Sequence, residues 1–421
     1  MSSANLTLRR VLCAVGAAAL CFWGIWQAAR IGVARTTTRK AAVSNQAAID
    51  RAVRLSPSDP ETHFARGTSL QQSEDYAQAK AEFERAVQLR PRDYFLWLLL
   101  GMARDSDRDQ DGALIALRQS ASLAPAYAQP SWQLGNLLLR RGDLNEAFIE
   151  LRKAAKADPT VLPVVIDLAW NISQHDLRQF EGLLQPDTDA TRLGIALFLA
   201  KHNQSAAAAD QFLSTQVNSG AKVDALLDEL LKVRAFSDAY RVWVRMRGET
   251  ANNGGAFFDG GFEGSLATGQ AGFGWQISSN LTNVEMSVDT SDRHSGGRSL
   301  HIEFRGNSNP ATSVLTQLVL VTPLTHYRIT FAALTRDLVS AASPVITVTD
   351  ASDPKNAVLI QSAPVVPDKS GWRTFTLDLK TNDTTGAIMV SVARQNCAND
   401  PCPAFGSLWL DSFELRPVQN R

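Results

Sequence analysis

The chain has 421 residues, with 42 basic and 42 acidic side chains and a formal net charge of zero. Such a length predicts two or three domains, and the balanced charge argues against a nucleic-acid partner, which would want a basic face. Four cysteines are too few for a disulfide framework, while an apolar share of 45% suffices for ordinary cores.

Residues 1–10 form a short tail. The stretch 11–29, "VLCAVGAAALCFWGIWQAA", is uncharged and bracketed by Arg9, Arg10 and Arg30. A helix of that length just crosses a hydrocarbon core of roughly 30 Å, and Trp23 and Trp26 fit an interfacial aromatic belt. The competing reading is a cleaved signal peptide, but no good small-x-small site follows the apolar run, and Leu20 before Cys21 matches a lipoprotein cleavage box poorly. A transmembrane anchor over 11–29 is therefore expected, in which Cys13 and Cys21 act as small hydrophobes. Arg30, Arg35, Arg39 and Lys40 follow it; by a strict count of positive charge they would leave the bulk of the chain in the cytoplasm. The very short tail and a cysteine pair discussed below favour the opposite orientation.

From 41 to 159 the chain repeats itself at a fixed interval. Gly67, Gly101 and Gly135 are 34 residues apart, as are Ala79, Ala113 and Ala147, and Pro91, Pro125 and Pro159. Phe83, Leu117 and Leu151 keep the same register, and Ile49, Ala52 and Pro57 fall one period before Phe83, Ala86 and Pro91. Each clear unit (60–93, 94–127, 128–161) reads as two helices. The small residue lets the partner helix approach, and the closing proline turns the chain into the next pair. One such pair cannot bury its apolar face, so neighbouring units must stack. Helical periodicity continues through 162–247 without the 34-residue signature, and is read as degenerate or capping helices that close the array. The segment 248–256 is Gly- and Asn-rich and reads as a linker.

Between 257 and 417 the period becomes alternating. "SLHIEFRG", "SVLTQLVLV", "HYRITFAALT", "PVITVTD", "WRTFTLDLKT", "AIMVSVAR" and "SLWLDSFELRP" are short strands separated by turn residues, the pattern of a β-sandwich. The predicted fold class is multidomain: an N-terminal transmembrane helix, an all-α solenoid and an all-β sandwich.

A 34-residue period with a small residue in the first helix, alanine in the second and a closing proline resembles the tetratricopeptide repeat. In that family the concave face is lined by the first helix of each unit. Carried onto this sequence, it would hold Phe64, Thr68, Phe95, Leu98, Met102, Trp132, Asn136 and Leu139. Chaperone-type repeats place basic residues and Asn there to clamp a peptide carboxylate. This sequence puts aromatic and aliphatic residues there instead, which suits an amphipathic helix or an extended peptide read through side-chain pockets. The structural alternative is that these residues pack against neighbouring repeats.

"GGFE" (260–263), "GW" (274–275), "HSGGRSLHIEF" (294–304), "TPLTHYRITFAA" (322–333), "GWRTFTLDL" (371–379) and "GSLWLDSFEL" (406–415) resemble, in that order, galactose-binding-like jelly-roll carbohydrate-binding modules. An exposed flat aromatic is what a sugar ring stacks on, which singles out Trp275, Trp372 and Phe405. Tyr327 and Trp409 lie within alternating strands, where an aromatic is more often core. The same resemblance implies a possible structural calcium near the joined chain ends, with Glu263 and Asp411 as matching oxygen donors and Asp259 or Asp292 as further ones. The alternative for these carboxylates is turn capping. Cys397 and Cys402 bracket the turn "ANDP" and can close a disulfide, which persists only in an oxidising compartment, the alternative being two reduced thiols.

No Walker loop, H-E-x-x-H, G-x-S-x-G or zinc-type cysteine pairing occurs, and the six histidines are scattered. The expected role is therefore non-enzymatic. The bulk of the chain would lie in the periplasm, held by a single pass through the inner membrane. The repeats would dock a protein partner and the sandwich would contact polysaccharide or another envelope component, in a role such as exopolysaccharide assembly or export. Two further readings are a tethered glycan-binding module with the repeats as spacer, and an accessory subunit of an envelope glycoside hydrolase.

Overall fold

The computed structural model describes residues 3–40, 46–248, 256–264, 266–268, 271–279, 281–368, 370–397 and 401–418. Among them fourteen α-helices precede eleven β-strands. The chain divides into two compact units, Met1–Gln185 and Pro186–Arg421. Apart from Gly248 and Ala256, the expected linker lies outside the described residues.

The first unit comprises α1 (Ser3–Lys40), α2 (Gln46–Leu55), α3 (Pro60–Gln72), α4 (Tyr76–Leu89), α5 (Tyr94–Ser106), α6 (Gln110–Leu123), α7 (Ala128–Arg141) and α8 (Leu144–Ala157). A 3₁₀ turn (Pro159–Val161), α9 (Leu162–Ile172) and α10 (Leu177–Leu184) follow. Helices start where an aspartate can accept from an otherwise orphaned N–H. Asp59, Asp75, Asp93 and Asp109 cap α3 to α6 in this way. The turns inside the pairs α3/α4, α5/α6 and α7/α8 place Glu74, Arg108 and Gly142 in the left-handed region, with φ of 61°, 65° and 84°. These positions are again one period apart.

The repeated glycines have a steric cause. A Cβ on Gly67 would lie 2.8 Å from Phe83 Cε1, on Gly101 2.6 Å from Leu117 Cγ, and on Gly135 2.8 Å from Leu151 Cγ. Each partner is itself one period from the next, so the paired spacing in the sequence is the contact between two helices. Ala79, Ala113 and Ala147 are fully buried, as are Phe83 and Leu151, and Leu117 nearly so.

The expected anchor is part of a longer helix. Within Val11–Thr38 an apolar window with no buried residue is long enough to cross a membrane. α1 continues past it, and Ala34 is fully buried. Arg30 donates from Nε and Nη2 to the Leu55 carbonyl at 3.1 and 2.6 Å. Arg35 forms a two-pronged pair with Asp59 at 2.9 and 3.0 Å. The last turns of α1 thus pair with α2, and the helical array begins at about Arg30 rather than near Ala41.

The second unit opens with α11 (Asp189–Lys201), α12 (Ser205–Leu213), α13 (Ala221–Lys232) and α14 (Phe236–Arg247). These were expected to close the repeat array. They belong instead to the compact unit that holds the strands, where α14 carries an aromatic face covered by residues that flank the strands. Trp243 meets Phe258 and Phe273 at ring separations of 5.0 and 5.7 Å, Tyr240 meets Phe273 at 5.0 Å, and Arg234 donates to the Ala351 carbonyl at 3.0 Å.

The strands are β1 (Ala267–Thr268), β2 (Gln276–Ile277), β3 (Val284–Asp289), β4 (Ser299–Asn307), β5 (Leu315–Leu320), β6 (His326–Ser340), β7 (Pro344–Asp350), β8 (Val358–Gln361), β9 (Arg373–Lys380), β10 (Ala387–Arg394) and β11 (Pro403–Pro417). They form a six-stranded sheet ordered β1-β2-β5-β10-β7-β8 and a five-stranded sheet ordered β3-β4-β11-β6-β9. Every pairing is antiparallel except β1 with β2. Alternate residues of both sheets, among them Leu300, Ile302, Ile329, Phe331, Ile346, Val348, Ile388, Val390 and Leu410, fill one core between the layers. All seven expected strands are present. The additional ones are short or carry little alternation.

Candidate functional site

The expected groove residues divide into two groups. Phe95 is 38% exposed and lies 6.1 Å from Phe64. Phe64, Thr68, Met102, Trp132, Asn136 and Leu139 are half-buried. Leu98 is corrected: it is fully buried in a cluster with Ala113, Leu117 and Leu134. It shares a repeat position with Phe64 and Trp132, but its branched chain fills the space between α5, α6 and α7. What a partner can reach is therefore a broken aromatic row rather than a continuous apolar floor.

Two tyrosines extend that row. Tyr94 stands 6.4 Å from Phe95 and 5.0 Å from Tyr127, which is 58% exposed. Both occur just after a repeat-closing proline, at the start of a first helix. A tyrosine two or three residues after such a proline is the signal in the sequence that would have found them.

Beneath the row sits a polar fastening. His63 is 6% exposed, its Nδ1 2.7 Å from Glu82 Oε2 and its Nε2 2.9 Å from the Pro57 carbonyl. Glu82 raises His63 above the usual histidine value, with burial opposing and the Pro57 carbonyl supporting it. Both ring nitrogens face acceptors, an arrangement that an imidazolium satisfies fully. Arg66 donates to the other oxygen of Glu82 at 3.1 Å.

In the sandwich, Trp275 is corrected from a glycan platform to core. It is 5% exposed, packed against Phe257, Phe262 and Phe413, with its indole N–H on the Asp259 carbonyl at 3.0 Å. Tyr327 is buried, its hydroxyl accepting from the Thr322 N–H. Trp409 is also 5% exposed: His301 stacks on it at 4.5 Å, Arg336 lies 4.9 Å from its ring, and its indole donates to Asp289 at 2.8 Å. Burial alone would raise Asp289, but the Ser291 N–H and the Trp409 indole hold it below the usual carboxylate range. Trp372 is half-buried, 5.7 Å from His294. Phe405 is 51% exposed and pairs across the ladder with Val339, itself 69% exposed. Of the three aromatic candidates, Phe405 alone presents a large free surface.

The carboxylates proposed for calcium hold loops. Asp411 is fully buried and accepts from the His294 and Ser295 N–H groups at 2.8 and 3.0 Å. Glu263 Oε1 accepts from Gly297 and Arg298 at 2.8 and 3.3 Å. Asp259 accepts from Glu263 and Gly264 at 2.8 and 3.0 Å, and Asp292 pairs with Arg336 at 3.1 Å. Among the described residues no group of three or more His, Cys, Asp or Glu converges as a metal site. Asp259, Glu263 and Asp411 thus each accept from the N–H groups of a loop.

Cys397 and Cys402 are joined in a disulfide with 6.2 Å between their Cα atoms. Arg394, 5% exposed, fastens the same loop by donating to the carbonyls of Cys402 (2.8 Å) and Ser308. Burial lowers its guanidinium from the ordinary arginine value.

One cleft had no counterpart in the sequence reading. About 510 Å³ in volume, it lies between α13–α14 and the outer side of the six-stranded sheet. Leu231, Phe236, Gln276, Thr316, Thr349 and Met389 line it among others. Its mixed polar and apolar walls come from segments more than a hundred residues apart, so no local pattern announces it.

Tetratricopeptide repeat family models match residues 60–93 and 128–161. No curated protein sequence matches the chain significantly. Among solved structures, the chain is similar to MamA (residues 41 to the end) from Desulfovibrio magneticus RS-1, at 19% identity and TM-score 0.32, covering 38% of this chain and 94% of that one. It is similar to YrrB, described as a tetratricopeptide repeat protein with an unusual peptide-binding site, at 20% identity and TM-score 0.32, covering 38% and 88%. It is also similar to the CBM22-1 xylan-binding domain of Paenibacillus barcinonensis Xyn10C, at 16% identity and TM-score 0.28, covering 41% and 100%. At such scores the fold stands on the helix pairing and strand order described above. The chain carries tetratricopeptide repeats followed by a two-sheet β-sandwich.

Proposed function

We propose that this protein is a membrane-anchored envelope scaffold, non-enzymatic, whose repeats dock a protein partner and whose sandwich meets glycan or another envelope component. α1 would hold it in the inner membrane with the body in the periplasm, where the Cys397–Cys402 bond would persist. From this pairing of modules we infer a place in exopolysaccharide assembly or export.

The observation that carries the docking reading is the row of reachable aromatics on successive first helices, Phe64, Phe95 and Trp132, in place of a carboxylate clamp. Aromatics in separate shallow pockets suit an extended peptide or one face of a helix. The test uses the full chain with a photo-crosslinking side chain at Trp132, and for comparison at Ile115, exposed on the second helix of its repeat. Docking predicts one defined adduct from position 132, absent from 115 and lost on Phe95→Asp. Equal adducts from both positions, or indifference to Phe95→Asp, would remove the groove from the account.

The second reading, a glycan-binding module on a tether, is favoured by Phe405 and Val339 standing exposed side by side. It predicts that the intact protein in detergent retains a polysaccharide on an array, with or without calcium, and that Phe405→Ala abolishes retention. No retention under either condition contradicts it.

A further inference from the structure

α1 runs without a break from the expected span into the first repeat. Arg30 is the first charge after the uncharged run of 11–29, and its guanidinium lies 4.5 Å from the Trp26 ring while bonding the Leu55 carbonyl at the end of α2. Arg35, one turn further along, reaches back to Asp59, the cap of α3. The turn from α2 into α3 is thus level with the point where α1 leaves the apolar stretch.

Stacking carries that level along the array. The starts of α3 and α5 are side by side through Phe64 and Phe95, and those of α5 and α7 through Tyr94 and Tyr127. The turns into successive first helices therefore share one edge. It presents the exposed side chains of Tyr127, Val164, Arg54 and Arg92, beside the half-buried Glu61 and Asp93. The opposite edge, made by the turns within each pair, carries Glu74, Asp75, Asp107, Asp109, Asp111 and Asp143 against the exposed Arg108 and Arg140. Amphipathic aromatics with cations suit the headgroup layer of an anionic bilayer better than an edge on which carboxylates outnumber cations.

We propose that the edge bearing Tyr127 and Val164 lies on the lipid headgroups, so that the repeats run along the membrane surface rather than standing away from it. This rests on α1 spanning a bilayer. The test takes the full chain with Cys13→Ser and Cys21→Ser and the Cys397–Cys402 disulfide intact, in vesicles of phosphatidylcholine and phosphatidylglycerol. Nitroxide labels are placed singly through Trp23→Cys, Tyr127→Cys and Arg108→Cys, and their collisions with oxygen and with a water-soluble nickel chelate are compared. The expected order of nickel accessibility is lowest at 23, severalfold lower at 127 than at 108, and full at 108. If 23 is shielded but 127 and 108 are equally open to nickel, the edge does not touch lipid and the proposal falls while the anchor stands. If 23 is open to nickel, α1 is not in the bilayer and both fall.

Discussion

At the scale of the residue, the repeat is a set of paired contacts in which each glycine makes room for one larger side chain. Gly101→Ala places a methyl 2.6 Å from Leu117 Cγ and 3.3 Å from the Leu117 backbone nitrogen. It should lower stability by about 1–3 kcal/mol despite the better helix propensity of alanine. Gly182→Ala in α10 meets nothing within 4 Å and should gain up to about 1 kcal/mol. Denaturant unfolding of the two variants reads both signs, and equal effects would refute the steric account. These glycines were legible because a repeated contact leaves a repeated spacing. Tyr327 and Trp409 were legible as core from their alternating strands, whereas Trp275 was not, since it precedes a strand of two residues, too short for alternation to show its face. Trp275, surrounded by Phe257, Phe262 and Phe413, should cost about 3–5 kcal/mol on truncation to alanine. Exposed Phe405 should change stability by no more than about 0.5 kcal/mol. Melting curves of Trp275→Ala and Phe405→Ala check the contrast.

At the scale of the element, the helices are tied by polar contacts as well as packing, and one of these ties titrates. His63 on α3 bonds Glu82 on α4 and the Pro57 carbonyl in the turn before α3. Its value in the folded chain is raised, so its stabilisation is fully present below the unfolded histidine value of about 6.5 and is lost as pH rises through the higher folded value. The first repeat should therefore loosen on the alkaline side of that window, and His63→Gln should remove the dependence. Hydrogen exchange at α3 and α4 across neutral pH is the measurement; an unchanged profile in the variant would contradict it. In the sandwich, the disulfide closes a loop of sequence separation 5, and reducing it should cost about 2 kcal/mol in the chain-entropy account. A Tm indifferent to reductant would show that Arg394 and its carbonyl partners hold the loop alone.

At the scale of the whole molecule, sequence periodicity revealed the kinds of element but not all of their partners. The helical stripes of α11–α14 are as clear as those of the repeats. A stripe records only that a face is buried, not whether a helix or a sheet buries it. Here the cover includes Phe258 and Phe273 from the strand-bearing segment, and the compact unit accordingly begins at Pro186. The cleft of α13–α14 and the burial of Leu98 were hidden for the same reason. The uncharged run of 11–29 was plain, whereas its continuation into the first repeat depends on Arg30 and Arg35 finding Leu55 and Asp59, contacts no local pattern encodes. The account as a whole requires the groove and the sandwich to face the envelope side of the membrane. Protease digestion of intact spheroplasts, followed by an antibody to the sandwich, tests this most directly. The account predicts that the sandwich is degraded while the membrane remains sealed. Survival of the sandwich until the membrane is broken would place the body in the cytoplasm and contradict the account.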